Sequence, residues 1–125
     1  MKWNPMTGAL ALVLMLPLGG TARAAGDAAH GKEIYDTRCS ACHSLDANRV
    51  GPMHRGVYGR KAGSVPDYNY SAGVKASTVI WTEETLDKWL AEPRAFIPGA
   101  KMTFHLSQKT DRDDVIAYLK QESGK

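Results

Sequence analysis

Cys39-Ser40-Ala41-Cys42-His43 places two thiols three positions apart and follows them at once with an imidazole. This C-x-x-C-H spacing is the signature of covalent haem attachment. Each thiol can add across one haem vinyl group to give a thioether, and one turn of chain brings two thiols to two vinyls. The next residue then stands under the iron, where a neutral imidazole is a ligand. Cys39 and Cys42 are the only cysteines in the chain, so a structural disulfide and a thioredoxin-like redox pair are the alternatives. A disulfide closing so short a loop removes little entropy from the unfolded chain. A redox pair calls for strands alternating with helices, and the patterning below has no such alternation.

Other parts of the chain must position this motif. The first stretch reads as an export signal. Lys2 is a positive start, Ala9 to Leu18 is an apolar run interrupted by Pro17, and Ala22-Arg23-Ala24 is a small-x-small cleavage pattern. The run is too short to span a membrane comfortably. Residues 1–24 are therefore expected to be a cleaved secretory signal and 25–125 a single domain, in an oxidising periplasmic compartment. The 16 basic residues of the full chain fall to 14 without Lys2 and Arg23, against 13 acidic ones. A balance so near neutral implies no nucleic-acid partner, and any electrostatic role must come from where the charges lie.

Asp27 to about Thr37 reads as a helix, with Asp27 as N-cap and Ala28, Gly31, Ile34, Tyr35 and Arg38 at helical spacing. Gly31 inside it costs about 1 kcal/mol relative to alanine, which close approach of another helix would offset. Leu45 to Thr78 holds Gly51-Pro52, Gly56, Gly59, Gly63, Pro66 and Gly73. That density of breakers predicts a long loop with at most a short helix near Ser71 to Lys75, a length that needs something to organise it. Thr82 caps a further helix that carries Leu86, Trp89 and Leu90 on one face and stops at Pro93. The last helix begins near Thr110 or Asp111 and buries Val115, Ile116, Tyr118 and Leu119. No strands, repeats or low-complexity tracts are expected. A domain this small has a weak core of its own. A buried haem would add much apolar surface, so the haem-free chain is expected to be largely unfolded.

With this order of elements, the chain resembles the class I cytochrome c family, in its cytochrome c2 and mitochondrial-type branch. The likeness runs from Gly26 to about Gln121. It rests on Cys39-Ser40-Ala41-Cys42-His43, Gly51-Pro52, Gly56-x-x-Gly59-Arg60-Lys61, Tyr70-Ser71, Ile80-Trp81, Pro98-Gly99-Ala100-Lys101-Met102 and Ala117-Tyr118-Leu119. The resemblance implies an all-α fold of about four or five helices wrapped with long loops around one haem c, bound through Cys39 and Cys42. It implies His43 and Met102 as the axial iron ligands, with the Pro52 carbonyl accepting the Nδ1 proton of His43. Arg60, Tyr70 and Trp81 match residues around the haem propionates, where a guanidinium, a phenol and an indole N–H are suitable donors. It also implies that Gly31 meets the last helix near Tyr118.

Several positions depart from the family pattern. Trp89 replaces a tyrosine, Val74 an asparagine and Ala100 a threonine, stripping a small polar network near Met102. His54 stands where a leucine usually packs near the haem, and is a candidate ligand in a partly unfolded form. His30 and His105 read as surface residues. The loop from His43 to Gly51 is shorter than in the mitochondrial branch.

Histidine and methionine together fill the iron and favour one-electron transfer over oxygen chemistry. The expected function is a periplasmic monohaem electron shuttle and not an enzyme. It would be monomeric, without stable membrane insertion after signal cleavage. Its partners would be redox proteins: a membrane electron-transfer complex, an oxidase or a dehydrogenase. Arg38, Arg49, Arg94, Lys101 and Lys109 resemble the basic ring that meets them. The alternatives are a dedicated haem subunit or acceptor of one periplasmic dehydrogenase, and a gas-binding or peroxidatic haem protein.

Overall fold

A computed structural model describes residues 1–3 and 26–125. The expected signal segment falls almost wholly outside the described residues. Two helices from opposite ends of the domain form the frame. Helix α1, Ala28–Ile34, is capped by Asp27, whose carboxylate accepts the N–H groups of Ala29 and His30. Helix α5, Lys109–Glu122, buries Val115, Ile116, Tyr118 and Leu119. They cross at Gly31, where a Cβ would lie 2.0 Å from the Asp114 carbonyl oxygen and 3.0 Å from Tyr118 Cβ. Only a residue without a side chain allows that approach, so the propensity cost of Gly31 is offset by close backbone packing.

Helix α1 does not run on unchanged into the cysteine motif. Tyr35–Cys39 forms a π-helical turn, with Ser40 N–H bonded to the Tyr35 carbonyl at 3.0 Å. Such turns are wider than α-helix by one residue and concentrate at functional sites. This one buries Tyr35 and leads directly into Cys39.

The long loop has at its end the short helix α2, Ala72–Lys75, capped by Ser71 Oγ accepting from Val74 N–H at 3.2 Å. It contains no named strand, only an isolated antiparallel bridge between Lys61 and Ile80. Around that bridge Trp81 N–H bonds Arg60 O at 2.9 Å and Ala62 N–H bonds Val79 O at 2.8 Å. These few bonds fasten the loop to the segment that enters the next helix.

Helix α3, Glu83–Ala91, starts with a reciprocal capping box between Thr82 and Thr85 and buries Leu86 and Leu90. Pro93 ends it, but also opens the four-residue helix α4, Pro93–Phe96, which the sequence reading missed. Proline is tolerated in a first turn, where its absent N–H has no partner to lose. Helix α5 starts slightly earlier than expected, at Lys109. Arg112 holds the chain entering it, donating to the Leu106 and Ser107 carbonyls at 2.9 Å each and to Asp87 of α3 at 2.7 Å. The core gathers Ile34, Tyr35, Trp81, Leu86, Leu90, Ile97, Leu106, Val115 and Leu119, among other residues, between these helices. The result is the expected small all-α fold with long loops.

Candidate haem site

The two thiols and the imidazole sit on consecutive turns. Cys42 N–H and His43 N–H both bond the Cys39 carbonyl, at 3.1 and 2.9 Å. Both thiols are free, Cys39 partly covered and Cys42 exposed. Burial pushes the Cys39 thiol up to about 11, so it is protonated at neutral pH.

His43 donates from Nδ1 to the Pro52 carbonyl at 2.9 Å. That bond assigns the tautomer and leaves Nε2 with a free lone pair, as a metal-ligating imidazole requires. Burial lowers the His43 pKa, with the Arg49 charge adding to it and the Pro52 bond opposing. The ring is therefore neutral at ordinary pH. Gly51 N–H bonds the Cys42 carbonyl at 2.8 Å, bringing the Gly51-Pro52 turn against the motif. A Cβ on Gly51 would lie 2.1 Å from His43 Cε1, so the glycine exists to admit the ring. Arg49 closes the short loop over the motif by donating to the Ser40 and His43 carbonyls.

His54 packs directly against His43. Its ring stacks on His43, centroids 3.9 Å apart and planes 18° from parallel, while its Nδ1 is 3.0 Å from the Tyr35 hydroxyl. Burial pushes its pKa well below the ordinary histidine value, and the neighbouring His43 and Arg60 push the same way. No sequence signal joined His54 to Tyr35, 19 residues away.

The loop bearing Met102 is shaped by its own backbone. Gly99 takes a φ of 83°, a left-handed turn suited to glycine. Arg94 Nε donates to Ala100 O at 3.1 Å, and Lys101 Nζ reaches Asn69 O at 2.9 Å, tying this loop to the residue before Tyr70. The backbone of Gly73 in α2 comes so near Pro98 that a Cβ would be 2.1 Å from its carbonyl oxygen. Met102 is half-buried and packs against the same core as Cys39.

Arg60 donates to the Met53 carbonyl at 2.8 Å and to the Arg55 carbonyl at 3.3 Å. Trp81, 7 % exposed, is joined to Arg60 by the backbone bond described above. The Tyr70 hydroxyl accepts Val65 N–H at 3.0 Å, and its ring meets Tyr68 edge-on. Of the five basic residues expected to form a ring, Lys109 instead pairs with Asp113 at 2.7 Å and lies 3.9 Å from Asp87. Arg38 lies over the Phe104 ring.

The donor set fits a covalently held haem: two unpaired thiols, an imidazole with Nε2 free, and a thioether on a separate loop. Leu45, Tyr70, Trp89, Phe96 and Phe104 are half-buried beside the core, leaving apolar surface for a flat apolar group to cover.

The family model described as Cytochrome c matches residues 28–123. Cytochrome c of Euglena viridis is 44 % identical over 98 residues, covering 76 % of this chain and 96 % of that protein. Cytochrome c of Arabidopsis thaliana is 41 % identical over 102 residues, covering 78 % of this chain and 91 % of its own. Among solved structures, cytochrome cH from Methylobacterium extorquens superimposes with a TM-score of 0.73 at 42 % identity, covering 77 % of this chain and 99 % of that one. The two free cysteines, the matching helical fold and these likenesses agree on one covalently attached haem c and on electron carriage. The chain belongs to the cytochrome c family.

Proposed function

We propose that this chain is a soluble periplasmic shuttle that passes single electrons between membrane complexes of respiration or photosynthesis, dehydrogenases, or both. Cys39 and Cys42 hold the haem, and His43 and Met102 ligate its iron. The observation that carries this reading is the His43–Pro52 hydrogen bond of 2.9 Å, directly after two free thiols. It presents Nε2 and keeps the ring from turning away. Bound haem supplies a reversible one-electron couple whose potential is raised by sulfur ligation.

The residues do three things. The turn at Cys39 to His43 fixes thiols and imidazole in one register. The Pro98-Gly99 turn, held from α2 and by Arg94, delivers the Met102 thioether. Arg60, Tyr70 and Trp81 line the polar margin, where their donors would meet propionates. Among the described residues Arg49, Arg94 and Lys101 bond backbone carbonyls and no carboxylate, which leaves their charge available to an acidic partner face. No helix among the described residues is long and apolar enough to cross a membrane.

The test has two arms. Mass spectrometry of the protein purified from the periplasm should find one haem on the Cys39–Cys42 peptide, and Met102→Ala should abolish the sulfur-to-iron absorption band while keeping the haem. Electron exchange with acidic redox partners should slow steeply as salt rises. A haem-free protein, an unchanged band in Met102→Ala, or a salt-independent rate would each refute the part it addresses.

A further inference from the structure

His43 is held on three sides. Pro52 O takes its Nδ1 proton at 2.9 Å. The Gly51 backbone lies against its Cε1 edge. The third side is the face of His54, with ring centroids 3.9 Å apart. The hydrogen bond alone fixes one atom and leaves the ring free to rock about the N–H···O line. A parallel ring on its face removes that freedom, because tilting forfeits contact along the whole face.

His54 can serve as such a wall only if its own plane is fixed, and it is. The Tyr35 hydroxyl stands 3.0 Å from His54 Nδ1. The Tyr35 ring meets His54 nearly edge-on, at 5.6 Å and 64°. Tyr35 is 4 % exposed and packs on Tyr118 of α5, centroids 5.4 Å apart. Among the described residues its hydroxyl has no other hydrogen-bond partner. A chain of rings thus runs from the α1–α5 crossing to the imidazole.

We propose that Tyr35 and His54 are positioning residues that set the orientation of the His43 imidazole plane. This rests on the reading of His43 as the iron ligand. A leucine at position 54 would fill the space without presenting a plane, and a phenylalanine at position 35 would leave His54 free to turn about its Cβ–Cγ bond. The pair therefore gives this chain a control on its ligand that apolar packing does not provide. An imidazole binds iron through the in-plane lone pair of Nε2, and its filled π orbital, normal to the ring, overlaps one iron dπ orbital more than the other. The ring's orientation would thus decide along which haem axis the unpaired spin of the ferric state spreads. The haem-methyl proton shifts report that distribution directly.

The experiment uses the ferric holoprotein with His54→Leu and Tyr35→Phe. Absorption and circular dichroism first establish that each variant is folded and low-spin with the sulfur-to-iron band intact. Proton NMR should then show the four haem-methyl resonances re-spaced in both variants, more in His54→Leu than in Tyr35→Phe. Tyr35→Phe removes a single hydroxyl and keeps the ring, so it decides the matter if His54→Leu does not take up haem. Methyl shifts that stay where they are in the folded, low-spin variants overturn the proposal and leave His43 as ligand. Absence of a low-spin histidine-ligated spectrum in the unmodified protein overturns the ligand reading itself.

Discussion

A Cβ placed on Gly51 would stand 2.1 Å from Cε1 of His43. No contact this short survives, so one of the two must move. Gly51 also donates its N–H to Cys42 O at 2.8 Å, so the turn cannot retreat without losing a bond inside the motif. Gly51→Ala should therefore displace the His43 ring. The expected cost is about 1–3 kcal/mol of holoprotein stability, the usual range for overpacking. Denaturant titration followed through the haem absorption measures it. A variant within a few tenths of the parent would show that the ring has room to yield.

Gly31 makes the same demand where α1 crosses α5. A side chain there meets the Asp114 carbonyl oxygen at 2.0 Å, and the obstacle is backbone. Gly31→Ala should raise helix propensity by about 1 kcal/mol yet lower net stability by about 2 kcal/mol, because α1 must lift off α5. A thermal midpoint equal to or above the parent's would mean that the crossing is not tight in solution.

The α1–α5 contact also carries a titrating pair. His30 Nδ1 lies 2.7 Å from Asp114 Oδ2, and Asp114 Oδ1 accepts Asp27 N–H at 2.7 Å. The Asp114 hydrogen bond raises the His30 pKa above 6.5, slight burial opposes it, and Asp111 and Glu33 add to the rise. Burial pushes Asp114 up, but bonds from His30 and the Asp27 backbone outweigh it and hold the carboxyl below 3.8. The His30 contribution is thus fully present below pH 6.5 and disappears as pH rises through its higher folded value. The Asp114 contribution is present above its ordinary value and disappears as pH falls through the depressed one. The other titrating groups are common to parent and His30→Gln, so the difference between the two isolates the pair. That stability difference should be larger at about pH 5.5 than at about pH 8.5. A flat difference across that range would show that the pair adds nothing to the crossing.

The frame of the molecule was readable residue by residue. Asp27 and Thr82 announced helix starts because their side chains can accept from the first turn. Gly31 stood out because a helical glycine calls for a packing reason. The glycines and prolines between Leu45 and Thr78 marked a loop, and the short α2 helix fell where Ser71 could cap it. The π-helical turn at Tyr35–Cys39 was invisible, since one inserted residue leaves a short hydrophobic period almost unchanged. Pro93 was read as a stop because the same residue can end one helix and open the next. In the site, the spacing of Cys39, Cys42 and His43 sufficed to put all three on one turn of chain. The His54–Tyr35 contact and the approach of Lys109 to Asp87 depend on tertiary placement, which no local pattern encodes, whereas Lys109 and Asp113 are i,i+4 neighbours along α5.

The positions that depart from the family pattern make the last prediction. Val74 and Ala100 are buried at 8 and 2 % exposure, and Trp89 packs against Trp81 with ring centroids 5.3 Å apart. Neither Val74 nor Ala100 offers a polar side-chain group. On the proposed ligand set Val74 and Ala100 give this side of the haem no dipole with which to stabilise the extra positive charge of ferric iron, and the potential rises. Trp89→Tyr combined with Val74→Asn returns a hydroxyl and an amide. Dipoles that favour the ferric over the ferrous state should lower the potential by roughly tens of millivolts, a one-electron couple moving about 59 mV per tenfold change in that preference. Val74→Asn alone buries an amide and will cost stability, so the double variant must first retain its sulfur-to-iron band. A redox titration with the midpoint unchanged or higher would place the control of potential elsewhere, in exposure of the haem edge or in the charges that surround it.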